Sequence, residues 1–177
     1  MKILKIIFFP ITIVCWLVKF VFNYLNRLRI KGFLKQLTLT KISALTGKQF
    51  EDVCSLIFKA LGYKVNKTKT SNDFGADLII CKKFKTAVQC KLYYNHSVGE
   101  RAIMEVSSGT KYYQANYGVV ITNSKYSAQA KKLAKIENVL LIDGAEITTY
   151  ITDLNNGTKH SKMFNLEKLL SLHLQNF

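Results

Sequence analysis

Residues 77–93 read DLIICKKFKTAVQCKLY. Two apolar runs, Asp77–Cys81 and Thr86–Tyr93, flank a short basic turn, which predicts a β-hairpin. Side chains alternate along a strand. Val88, Cys90 and Leu92 therefore form one face, and Gln89 and Lys91 the other. The first face is apolar and belongs in a core. The second presents an amide and an ammonium, beside a strand that begins with the carboxylate of Asp77. The pattern gathers three polar groups into one small volume. Hard oxygens suit Mg²⁺. Such a cation offsets charge on a phosphodiester and lowers the pKa of bound water, and an ammonium stabilises the transition state further. On spacing alone, an exposed strand lysine is the simpler reading of Lys91.

The flanking segments complete an α/β pattern. Upstream, Thr46-Gly47-Lys48-Gln49 reads as a capping box. Phe50, Val53, Cys54, Ile57 and Leu61 then recur at helical spacing, and Gly62 serves as the stop. Glu51 flanks that apolar face. Tyr63–Asn66 is a short strand, and 67–76 is a polar loop. Downstream come a helical pattern over Val98–Tyr113, the buried strand Tyr117–Thr122 and a basic helix over Ser127–Glu137. A second buried strand, Val139–Ile142, follows. One helix starts near Gly144 and another spans Asn165–Leu174. The order predicts a mixed β-sheet flanked by helices.

The start of the chain is different in kind. Ile6–Leu25 is apolar on every side, with Lys19 its one charge. Twenty residues of helix span about 30 Å, the thickness of a hydrocarbon core. No small-residue cleavage site follows. The segment reads as a membrane anchor continued by a long helix, with a helix packed on the domain as the rival. Lys2 and Lys5 precede it; Arg27, Arg29, Lys31 and Lys35 follow. The heavier basic flank stays cytoplasmic, which predicts a single-pass protein of the bacterial inner membrane with its domain inside.

The 177 residues carry 26 Lys and Arg against 11 acids, a net charge of +15. Nine of the basic residues precede Glu51, the first acid. Such a balance favours a polyanionic partner, nucleic acid or an anionic membrane face. Cys15, Cys54, Cys81 and Cys90 form no CxxC pair, which argues against structural zinc. His96, His160 and His173 have no ligand spacing. Lys82, Lys83 and Lys85 at the hairpin tip, with Lys64, Lys67 and Lys69, read equally as phosphate contacts or as a solvated basic turn.

From Leu45 to Ala145 the chain resembles the Mrr-type restriction endonuclease catalytic domain. The likeness is carried by TGKQFEDVCSLIFKALGYKV, TSNDFGADLII, VQCKLY, YGVVITNSKYSAQAKKLA and VLLIDG, in that order. It implies a restriction-endonuclease-like fold of the PD-(D/E)xK superfamily, in the variant with Gln before x-Lys. It also implies a Mg²⁺-dependent DNA endonuclease, with Mn²⁺ an alternative ion. Asp77 matches the metal-binding acid, Gln89 and Lys91 the QxK pair, and Glu51 the helix glutamate. Asp73 matches a further acid, and the backbone carbonyl of Cys90 would be another metal ligand. A junction-resolvase-like nuclease on the same fold and a non-catalytic, membrane-tethered DNA-binding protein are the alternatives. Cutting both strands suggests a homodimer. The expected layout is 1–36 anchor and connector, 37–150 nuclease domain and 151–177 helical extension.

Overall fold

The computed structural model describes residues 2–68 and 74–173, with side chains over 12–68 and 74–170. The chain opens with one helix, α1 (Lys2–Lys35). Its length is about 50 Å at 1.5 Å per residue. Most of it stands clear of the rest: Ile13, Trp16, Phe20, Phe22 and Leu25 are all exposed. Among the described side chains of α1, those of its last turns dock, through buried Leu34, half-buried Ile30 and an Arg27 guanidinium that donates to the Ala60 carbonyl at 3.1 Å.

The anchor expected over Ile6–Leu25 is not found: among the described residues no helix is long and apolar enough to cross a membrane. From Thr12 the apolar run ends at Leu25, because Asn26 and Arg27 follow. That stretch is about 20 Å long, against the roughly 30 Å needed. The side chains of Ile6–Ile11 lie outside the described set.

After a short helix, α2 (Leu39–Ser43), comes α3 (Gly47–Ala60). The anticipated capping box forms: Thr46 accepts from the Gln49 amide, and the Gln49 side chain accepts from the Thr46 amide at 2.8 Å. Each bond satisfies a backbone donor that the first turn leaves free. Gly62 follows with φ +89°.

Five strands form one sheet in the order β1 (Lys64–Lys67), β2 (Leu78–Cys81), β3 (Lys85–Lys91), β4 (Tyr117–Thr122), β5 (Val139–Ile142). The first three run antiparallel; β3, β4 and β5 are parallel. Parallel neighbours need crossovers, supplied here by α4 (Glu100–Tyr112) and α5 (Ala128–Ile136). These cover one face through Ile103, Val106 and Ala130, against Ala87 and Val120. The other face, with Val88, Cys90 and Ile121, packs on α1, α3, α6 (Gly144–Asn156) and α7 (Leu166–His173). Met163, Leu166 and Leu170 are buried in that same core.

Candidate active site

The position of Asp77 follows from where β2 begins. Leu78 pairs with Val88, and the Asp77 amide donates to the Val88 carbonyl at 2.9 Å. Past that rung β3 has no β2 neighbour. The Asp77 carboxylate takes the strand's place: Oδ2 accepts from the Cys90 amide at 2.6 Å and from Gln89 Nε2 at 2.8 Å. Hydrogen bonds to an ionised acceptor are among the stronger ones. Gln89 is 5% exposed, and its Oε1 is buried with no hydrogen-bond partner among the described residues. Leaving such an acceptor unmatched costs about 1–3 kcal/mol. A buried amide oxygen beside a carboxylate is a hard-donor pair, and it fits a divalent cation.

Lys91 shares the Gln89 face, as alternation requires, and this face looks toward α4. There Lys91 Nζ meets Glu105 Oε2 at 2.6 Å, with both side chains about three-quarters covered. Arg101 Nε holds the second oxygen, Oε1, at 3.0 Å. Glu105 was not anticipated from the sequence. Its one signal there is the i,i+4 spacing to Arg101, which reads as an ordinary helix-surface pair.

Two glycines let the Asp77 loop lie against α4. A Cβ on Gly75, which sits at φ +89°, would come within 2.0 Å of the Glu105 carbonyl oxygen. A Cβ on Gly109 would meet Gly75 and Ala76 at 3.0 Å.

Glu51, in the first turns of α3, is half-buried. Its charge is felt at the buried Cys90 thiol. Burial first, then a hydrogen bond with Cys54 and the negative charges of Asp77 and Glu51, push that thiol well above its ordinary value. The protonated thiol is no nucleophile.

The basic residues are spread more widely than the sequence suggested. Lys82, Lys83 and Lys85 stand at the β2–β3 turn, with Lys64 paired opposite Cys81 beside them. Lys85 begins β3 and Lys91 ends it, a separation of about 20 Å at 3.3 Å per residue. Lys67 is ion-paired with Asp52 of α3. Asp73 and Lys69 lie outside the described residues. Asn123 is a structural clamp. Its amide takes the Tyr93 N–H and C=O, both at 2.9 Å, and donates to Ser43 Oγ at 3.0 Å. No three His, Cys, Asp or Glu side chains converge as a metal site among the described residues. The oxygen-bearing side chains that a direct hydrogen bond brings together are those of Asp77 and Gln89.

Residues 42–151 match the restriction endonuclease family Mrr_cat. That span takes in Glu51, Asp77, Gln89 and Lys91 and covers most of the chain. The chain belongs to this family. The fold of this Mrr-type chain is also that of the DNA modification-dependent restriction endonuclease AspBHI, at 17% identity and TM-score 0.53. The match covers 86% of this chain and 40% of AspBHI. MspJI restriction endonuclease, solved with a 27-mer oligonucleotide, aligns at 18% identity and TM-score 0.41, over 86% of this chain and 35% of that one. The Mrr-type chain thus spans well under half of either structure. No curated protein matches it.

Proposed function

We propose that this protein is a DNA endonuclease that depends on a divalent cation, Mg²⁺ with Mn²⁺ as a substitute. The observation that carries the reading is the Asp77 carboxylate held by Gln89 and the Cys90 amide, with the unmatched Gln89 oxygen beside it. Asp77, Gln89 Oε1, the Cys90 carbonyl and Glu51 would hold the ion. When bound, it would supply Lewis-acid stabilisation of the phosphate and a more acidic water.

The chain's own groups do the rest. Asp77 locks the Gln89 amide in one orientation. An ammonium has three donors, so Lys91 can grip Glu105 and still present a donor to a phosphate oxygen as charge builds there. Apolar packing around Cys90 lowers the local dielectric and strengthens each of these interactions.

The reading includes attachment of the chain's start to a membrane, with the domain on the cytoplasmic side. Support comes from the large apolar side chains exposed along α1 from Ile13 to Leu28. The run reaches spanning length only when Ile6–Ile11 are counted with it. Recovery of the full chain in the soluble fraction without detergent would sink this part.

Plasmid cleavage by the full chain tests the chemistry, with Mg²⁺, Mn²⁺ or EDTA and with Lys91→Ala alongside. Metal-dependent nicking that disappears in the variant is expected. Plasmid binding without cutting under every metal condition would overturn catalysis and leave a DNA-binding protein.

A further inference from the structure

Beside the candidate site lies a cavity of about 380 Å³ that the catalytic reading does not use. Its walls include Phe74, Met104 and Tyr112, roughly half exposed despite their size. Phe74 and Tyr112 stack face to face, with ring centroids 3.7 Å apart and planes 13° from parallel. The Arg101 side chain, 92% exposed, stands on the rim. Glu105 and Gly75 close the side nearest the site. Glu105 is the residue that grips Lys91, and Gly75 is two residues from Asp77. The cavity and the candidate site therefore share a wall.

We propose that this cavity is a subsite for an unpaired nucleobase flanking the scissile phosphate. The proposal rests on the nuclease reading above. Aromatic faces bind bases of any sequence by stacking. The cavity is within the size range of small-molecule sites. Arg101 spends its Nε on Glu105, and the Nη donors of its exposed guanidinium suit an adjoining phosphate. A strand whose phosphate sits at Asp77 and Lys91 brings its next nucleotide to the Glu105 wall. A base inside an intact duplex is already stacked on both sides and cannot enter. Occupancy therefore selects DNA with an extrahelical or unpaired nucleotide next to the cut.

The test uses the full chain with Ca²⁺ in place of Mg²⁺. Two duplexes are compared, one fully paired and one with a single bulged 2-aminopurine. The bulged duplex is expected to bind about 5- to 150-fold tighter, the worth of one stacked base, with its fluorescence quenched. Tyr112→Ala brings the affinity ratio close to one and removes the quench. Tyr112→Phe and Tyr112→Trp keep both, which separates lost stacking from misfolding. Equal affinity for the two duplexes in the wild type, or an unchanged ratio in Tyr112→Ala, overturns the proposal. So does a wild-type dimer that Tyr112→Ala dissociates, because the face would then hold a second copy. The readout is binding alone. A chain that discriminates the bulge but never cuts keeps the subsite and loses the nuclease.

Discussion

Glu105 reaches from α4 to the end of β3 and holds Lys91 at 2.6 Å. It is also the residue whose backbone carbonyl requires glycine at position 75. One helical residue therefore sets both the ammonium and the loop that delivers Asp77.

Glu105→Gln keeps the size of the side chain and removes its charge. Lys91 then loses its ion-pair partner and samples other rotamers. The cleavage rate at saturating DNA is expected to fall about 10- to 100-fold, as for other residues that orient a site from behind. The KM for DNA should change much less. Glu105→Asp should restore part of the rate. Single-turnover kinetics on a short duplex give the split, and an unchanged rate would show the pair to be incidental.

Gln89→Glu replaces the unmatched amide oxygen with a second carboxylate beside Asp77. Without metal the two like charges repel, so the variant should melt lower than wild type. With Mn²⁺ the added charge should tighten binding about tenfold. Thermal melts with and without Mn²⁺ should therefore show a larger metal-induced rise in Tm for the variant. An equal rise in both proteins would place the ion elsewhere.

Gly75→Ala combines a positive φ with a contact against backbone, which cannot swing away. The cost is expected to be at least about 2 kcal/mol in urea unfolding. Because Asp77 lies two residues on, cleavage should fall as well. Gly99→Ala is the control, since nothing lies within 4 Å of a Cβ there.

Asp153 is buried in α6. Burial raises its pKa. Hydrogen bonds from Thr158, the Ser161 amide and His160 outweigh that and hold the carboxyl below its ordinary value. A depressed folded value means stability that is present above about pH 4 and is lost as pH falls through the folded value. Asp153→Asn should therefore lower the melting temperature at neutral pH. The gap to wild type should narrow as the solution is acidified below about pH 4. Melts recorded across that range check it, and a gap independent of pH would contradict the assignment.

Elements set by local chemistry were legible. The capping box placed the start of α3, and the nearly continuous apolar runs gave β4 and β5 their observed limits. Alternation put Gln89 and Lys91 on one face. The misses came from contacts distant in sequence. β3 was expected to reach Tyr93 and stops at Lys91, because the Asn123 side chain takes both backbone groups of Tyr93. The next helix starts at Glu100 and not at Val98, because Val98 bridges to Tyr126. The Lys91–Glu105 pair depends on how α4 lies across β3, which no local pattern encodes. The hairpin lysines carry a geometric lesson. A turn and the far end of its strand are separated by the strand's own length.

Leu34, at the end of α1, is as fully enclosed as the sheet residues that share its core. Unfastening it would open the hydrophobic interior, so the long first helix is no slack leash. It is a mast stepped into the hull. Whatever grips the free end also fixes the bearing of the Asp77–Lys91 edge, to within the bending of one helix. Under the proposed attachment, the Asp77–Lys91 edge would stand at a set height above the surface, and the proposed substrate would have to reach it there.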